Sequence, residues 1–519
     1  MRARIVSLMI AASFLLVPLS MAPALGQEEE RVGALPGVRV SQSTLITRTY
    51  EGPAVAISPE DPARVFVAAA DIQTNSCHIF RSNDEGRTFV ELAGPDFGEF
   101  TDCGLNKGAG LAQNIRMGLV FDPDGVLYWA VAVADPAALG GRSVVLARSE
   151  DGGDSWDTTV VAEAPKPSKP EDAVANFEPD VFVDSLGDAP RTVWVSWRRS
   201  FDSSSEKPTE GWAAVSKDGG KTFDPEVRPF EKNPGFDAPH LVMDDEGATY
   251  WFQREVPPEQ GEQGGEPNPS PMFMAKSEDD GASWDVSEVG EEEVVLEEPW
   301  AEVAPDGSNL YLVWADGRSG TDVDVFFKRS TDGGETWEKA IRVNDDPPNN
   351  RKQQKWPRMS VAPNGRIDIA WYDYRNDSKL VPKDDIEFFL GDLNDVYYSF
   401  SEDDGESFSR NLRVTDVAID RTIGTYNTQY FVEVPPGIAS ADDKAFHAWS
   451  DTRLGNEDTS AQDIFGTAVT FPSDADSTLG LSGGSLLLGA ELFLIGAGLA
   501  LFIGTAVIRT RARRSAAAS

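Results

Sequence analysis

Between residues 38 and 471 apolar and polar positions alternate in short runs separated by turns. The strings MGLVFDPDGVLYWAVAV, HLVMDDEGATYWFQ, WAEVAPDGSNLYLVWAD and RMSVAPNGRIDIAWYD each give an apolar run, a turn and a second apolar run. Their period of two and their β-branched and aromatic content predict paired strands. The turn glycines Gly125, Gly187, Gly247, Gly307 and Gly365 recur about every 60 residues. After each pair comes a turn of the form Ser-x-Asp-x-Gly-x-Ser/Thr-aromatic. It occurs as SNDEGRTF (82–89), SEDGGDSW (149–156), SKDGGKTF (216–223), SEDDGASW (277–284), STDGGETW (330–337) and SEDDGESF (401–408). Ser and Asp side chains can bond nearby backbone N–H groups, Gly supplies positive φ, and the aromatic packs on its own sheet. The motif therefore predicts a hairpin staple, with Asp84, Asp151, Asp218, Asp279, Asp332 and Asp403 in structural roles.

Each repeat is then four short antiparallel strands. In the fifth they are expected at 300–304, 310–314, 323–329 and 336–343. AVAISPEDPARVFVAAAD and YFVEVPPGIASADDKAFHAWSD add a unit at either end. Four-stranded units at this period predict an all-β, seven-bladed β-propeller, with a six-bladed ring as the alternative. The last unit has no staple and lacks a fourth strand. The segment 38–47 is expected to supply it and close the ring, which removes an exposed sheet edge.

The ends follow different patterns. Arg2 and Arg4 precede an apolar run (5–19), small residues at Ala22, Ala24 and Gly26, and then Glu28, Glu29 and Glu30. This predicts a secretory signal peptide at 1–26. Residues 486–508 carry one charge, Glu491, and are followed by Arg509, Arg511, Arg513 and Arg514. That predicts one transmembrane helix after a linker (472–485), with a basic cytoplasmic tail at 509–519 and the main domain outside. Gly483, Gly484, the span and the Arg cluster also resemble a bacterial C-terminal sorting signal, in which case the anchor is processed. An oxidising compartment allows a disulfide between Cys77 and Cys103.

Composition narrows the function. With 86 acidic against 46 basic residues the formal net charge is −40. A surface so negative excludes nucleic-acid binding, which needs a basic face. Two cysteines and three histidines offer no cluster with metal-ligand spacing, and no cofactor is implied. Chemistry would fall to carboxylates, Arg and Tyr.

The six staples resemble the Asp-box (BNR) repeat of the sialidase superfamily, and DVFFKRSTDGGETWEKAIRVN and LEEPWAEVAPDG resemble its bacterial secreted members. The resemblance implies the propeller fold and, for catalytic members, an arginine triad, a Tyr–Glu nucleophile pair and an Asp acid/base. Such members also carry a Phe/Tyr-Arg-Ile-Pro string. No such string occurs here; the nearest, NIRM with Arg116 and WPRM with Arg358, do not match it.

In this blade plan the staples lie on one face, and the loops between second and third strands lie on the other, at the channel mouth. That face carries WADGR (Asp316, Arg318), WYDYR (Asp373, Arg375) and WSDTR (Asp451, Arg453), with a looser WRRSFD (Trp197, Arg199, Asp202) in the third unit. These are either Asp–Arg pairs that pin loops or a ring of groups around a ligand. Arg forks suit carboxylate or sulfate, and paired carboxylates suit glycoside cleavage. Tyr426 and His240 are further ligand-binding candidates; Glu178, Asp180, Asp237, Glu298, Glu302 and Arg358 stand near the entries of first strands. His78 and His447 are expected in the core. The long loops 201–211, 256–271 and 376–395 are placed at the same mouth.

Three functions remain. One is a membrane-anchored extracellular propeller binding glycans or a protein partner through its mouth loops. Another is an exo-sialidase-type glycoside hydrolase. The third is a structural envelope protein.

Overall fold

The computed structural model describes residues 32–471 except 99, 101–115, 136–137, 139–140, 168, 170–173, 185–189, 202–208, 231–238, 255–270, 291–294, 296, 319–321, 382–390, 425–433, 457 and 460. The predicted signal segment, linker, membrane span and tail lie outside the described residues.

The described chain is all-β and almost wholly antiparallel. The fifth repeat shows the common plan. Trp300–Val303, Leu310–Asp316, Asp324–Ser330 and Ile341–Arg342 pair in order as one sheet. The first three match their expected positions. The fourth is much shorter than 336–343, because the staple and the residues after it occupy the first part of that run.

Similar sheets begin with Tyr50–Ile57, His240–Met243 and Gln354–Val361. Two strand groups, beginning with Gly118–Phe121 and Val174–Val183, merge into a seven-stranded sheet through one parallel pairing, Ala175 with Arg142. The last sheet holds Gly437–Ala441, Lys444–Asp451 and Asp463–Thr470. Its first strand starts after Pro435 and Pro436, which have no N–H to give a ladder. The N-terminal residues Val38 and Arg39 pair with Gly466 and Phe465. Gly33 and Ala34, upstream of the expected segment, pair with Thr470 and Val469.

Packing between sheets follows the repeat. Each of seven apolar clusters is shared by two consecutive strand groups. One joins the last group to the first, with Phe446, Ala448 and Ile464 against Tyr50, Val65 and Val67. The first strands of all seven groups line one cavity of about 590 Å³.

Register assigns the two faces. Trp300 stands opposite Val313, so Asp316 lies beyond the entry of the first strand. At the other end Val303, Leu310 and Ser330 share one level. The staple that begins at Ser330 therefore sits beside the turn between first and second strands.

The staples share one hydrogen-bond plan. In the first, Ser82 Oγ donates to Asp84 Oδ1 (2.7 Å) and accepts from Gly86 N (2.8 Å). Asp84 also accepts from the Thr88 amide (2.8 Å) and hydroxyl (2.7 Å). The same Asp bonds recur at Asp151, Asp218, Asp279, Asp332 and Asp403. The Ser155 and Thr222 hydroxyls lead the donors that hold Asp151 and Asp218 down to about 2. Gly86 adopts φ +84°, and a Cβ there would stand 2.2 Å from Phe446. Gly86→Ala is expected to cost about 2 to 4 kcal/mol, from left-handed strain plus overpacking. Guanidinium unfolding of the variant against wild type measures it.

Candidate functional site

The Trp-x-Asp-x-Arg strings form closed knots. Trp371 Nε1 donates to Asp373 Oδ2 (2.9 Å) and the Arg375 amide to Oδ1 (2.8 Å). The Arg375 guanidinium returns to Oδ2 (2.8 Å) and lies 4.2 Å from the Tyr397 ring. Trp449, Asp451 and Arg453 repeat this, with Arg453 over Phe465. So do Trp314, Asp316 and Arg318, with Arg318 over Phe326. All three Asp side chains are 0% exposed, and none of the six Asp and Arg residues lines the central cavity. This is the geometry of the loop-pinning alternative. In the third unit Arg199 bonds Asn176 (2.9 Å) and Glu226 (2.9 Å) instead. Asp202, Asp237 and Tyr426 lie outside the described residues.

The charged lining of the cavity gathers where the first strands enter. Arg116, Asp180, His240, Trp300, Glu302 and Arg358 all line it there. Two β-bulges help to aim this set. The strand Gln354–Val361 slips register between Lys355 and Arg358, with Trp356 at φ 52°. The strand Val174–Val183 slips between Phe177 and Asp180, with Glu178 at φ 50°. Left-handed φ at non-glycine residues is strained, and a bulge re-aims the side chains around it.

Trp300 is the hub. His240 stacks on its indole at 3.7 Å, and the Arg358 and Arg116 guanidiniums lie 4.5 and 5.7 Å from the ring. His240 contacts Asp180 Oδ2 through Nδ1 (2.8 Å) and the Ala301 carbonyl through Nε2 (2.8 Å). Both nitrogens face acceptors, so both can donate only when the ring carries two protons. His78, expected in the core, is half-buried and held by Glu91 (2.6 Å) and Ser76 (2.7 Å). His447 is 0% exposed, and burial pushes its pKa down to about 3.

Arg116 donates to Glu298, and Arg358 approaches the same carboxylate at 3.7 Å. Arg198 instead grips Glu178, at 3.1 and 3.2 Å. Arg116 Nε and Nη2 and Arg358 Nη2 are buried without a hydrogen-bond acceptor among the described residues. Burial opposes the Arg116 charge, but Glu298, Asp180 and Glu178 outweigh it and raise that pKa. Burial brings Arg358 down to about 10, with Glu298 opposing.

Three nearby glutamates differ. Burial alone would raise Glu298, but Arg116, Arg358 and Arg198 hold it below the usual range. Burial carries Glu297 up to about 7, against Lys355 and a hydrogen bond from the Trp356 amide. Burial carries Glu302 up to about 8; its bond from Trp300 Nε1 (3.2 Å) opposes this and the Asp180 charge adds to it. Burial would raise Asp180 too, but its bond with His240, reinforced by Arg116, keeps it low. Two cavity carboxyls thus differ at neutral pH, Glu302 protonated and Asp180 ionised.

The amino-acid order places Asp180, His240, Glu298, Glu302 and Arg358 near strand entries, and Arg116 in NIRM. That reading missed Trp300 as the hub, Glu297, and the Arg198 partner of Glu178. The run EEPWAE and the doubled Arg in WRRS were the available signals.

Cys77 is disulfide-bonded; the chain's other cysteine, Cys103, lies outside the described residues.

Fold and staples together give an all-β, propeller-like protein whose described charged lining gathers at one end of the cavity. Residues 328–339 match the family described as BNR/Asp-box repeat, so the chain carries that repeat. No curated protein matches the chain. Several solved structures are similar to the chain. One is a Penicillium chrysogenum alpha-L-arabinanase complexed with arabinobiose, at 15% identity over 71% of this chain and 98% of that one, TM-score 0.42. A Hadza microbial sialidase matches at 15% identity over 79% and 74%, TM-score 0.43. A Dyadobacter fermentans protein of unknown function matches at 14% identity over 85% and 99%, TM-score 0.42. Function must be argued from the site itself.

Proposed function

We propose that this chain is a seven-bladed, sialidase-like propeller that binds an acidic extracellular glycan at the polar mouth of its channel. The seven first strands around one cavity, and the apolar cluster joining the last strand group to the first, support the ring. The apolar runs at either end support secretion through residues 1–26 and anchoring by 486–508. One observation carries the binding reading. Arg116 and Arg358, on two different strand groups, meet at Glu298 and keep buried N–H groups that have no hydrogen-bond acceptor among the described residues, beside the cavity. A buried guanidinium with unmet donors is a strong receptor for a carboxylate or sulfate.

Titration of the full chain with glycans chosen from an array tests this. Acidic glycans should bind and neutral ones should not. Arg358→Ala should weaken binding at least about 30-fold, the usual scale for losing one charged, buried contact. Equal binding of neutral and acidic glycans, or an unaffected Arg358→Ala, would overturn it.

A second reading, glycoside hydrolysis, is favoured by the opposed Glu302 and Asp180. Carboxyls whose environments push their pKa values apart suit acid and base roles. Glu302 would protonate the leaving oxygen while Asp180 acts as the ionised partner. A screen against chromogenic glycosides separates this from binding alone.

A further inference from the structure

We propose that the channel below the mouth is a subsite for an apolar aglycone, so that the ligand is an acidic sugar carrying an alkyl or aryl group. This rests on the reading of the mouth as an acidic-glycan site. Among the described lining residues the charged ones are Arg116, Asp122, Asp180, His240, Glu302 and Arg358. All but Asp122 stand at the mouth. Asp122 is spent within its own turn, accepting from the Asp124 and Val126 amides (3.0 and 2.8 Å) and the Tyr128 hydroxyl (3.3 Å).

Farther down, the described wall is mainly aliphatic, with Ser360 and Ser440 as its polar side chains. Ile57, Val120, Val303, Val361 and Ile438 line the cavity and remain only half-buried. Each comes from a different first strand, five of the seven that line the cavity. Prolines such as Pro123 and Pro305 continue it toward the staple face.

Half-exposed aliphatic side chains that line a cavity offer water few partners. An apolar group entering there removes that surface from water. The volume of about 590 Å³ lies in the usual range for a ligand pocket, roughly 300 to 1,000 Å³. The arrangement is amphiphilic along its axis, with guanidinium donors that lack an acceptor among the described residues at one end and mainly aliphatic walls below. That charge complementarity selects a ligand of matching polarity, with an anionic sugar at Arg116 and Arg358 and its aglycone pointing inward.

The test is calorimetric titration of the full chain with methyl β-glucuronide, octyl β-glucuronide and octyl β-glucoside below micelle formation. Octyl glucuronide is expected to bind at least about 100-fold tighter than methyl glucuronide, given the gain for each buried methylene. Octyl glucoside, lacking the carboxylate, should bind more weakly than octyl glucuronide. Val361→Asp places a charge in the apolar wall, and Val120→Phe fills the channel without adding one. Both should abolish the octyl advantage and leave methyl glucuronide unchanged; either alone serves if the other fails to fold. Equal affinity for methyl and octyl glucuronide, both dependent on Arg358, would overturn the subsite and keep the mouth reading. An octyl advantage that survives in the variants would also overturn the subsite. Absence of binding by either glucuronide would overturn both.

Discussion

Asp373→Ala is expected to lose about 3 kcal/mol of folding stability and none of the ligand affinity of the folded protein. Asp373 is 0% exposed and accepts from Trp371 Nε1, the Arg375 amide and the Arg375 guanidinium. Gln354 reaches the same carboxylate at 3.3 Å. Alanine leaves all of these donors facing a void. Removing one partner of a buried ion pair costs roughly 3 to 5 kcal/mol, because the remaining charge stays desolvated. Arg375 keeps bonds to Asp345 (2.7 Å) and Asn411 (2.9 Å), which places the loss toward the lower end. Guanidinium unfolding followed by tryptophan fluorescence measures it. Asp316→Ala and Asp451→Ala should behave alike, since their knots share the same bonds. A variant at Asp373 as stable as wild type but unable to bind would sink the loop-pinning account and restore the ring of ligand groups.

That test concerns a choice the amino-acid order left open. The string WYDYR fits a pinned loop or a ligand ring equally well. What decides is whether Asp373 reaches the channel, and that depends on neighbouring sheets. The staples were legible for the opposite reason. The side-chain bonds of Ser82, Asp84 and Thr88 close within the motif, so the local string holds the geometry of the turn. The strands of the fifth unit were legible through alternation, which the half-buried pleat imposes.

The mouth was legible as a set of positions and not as a site. Arg116 and Arg358 are far apart in the chain and share only a place at the entry of a first strand. Their approach to Glu298 depends on the ring and on the bulge at Trp356. Glu297, Glu298 and Glu302 are near-identical on paper. After folding they face an amide with a lysine, a pair of guanidiniums and an indole N–H, so their protonation diverges. No periodicity or spacing encodes that divergence.

Glu302 gives the second large effect, in which stability and turnover move in opposite directions. Its pKa, raised to about 8, lies above the ordinary glutamate value of 4.5. Between those values the folded state holds a proton that the unfolded chain has released. Stability therefore falls as pH rises through that window, since the native state binds more protons. Glu302→Gln carries no such charge and keeps a carbonyl oxygen for Trp300 Nε1. The variant should unfold at higher denaturant than wild type at pH 8, and the gap should close as pH falls to about 4.5. If the mouth also hydrolyses glycosides, the same change removes the proton donor. Turnover should then drop about 10²- to 10⁴-fold, and wild-type kcat/KM should decline as pH rises through about 8. Acidic-glycan affinity should be retained, because Arg116 and Arg358 are untouched. A Glu302→Gln protein whose stability tracks wild type at every pH would show that Glu302 ionises normally in the fold. The assignment of a protonated carboxyl beside Asp180 would then fail, and the hydrolytic reading with it. The arginine-based binding reading would stand, because it rests on donors without an acceptor among the described residues and not on a carboxyl held neutral.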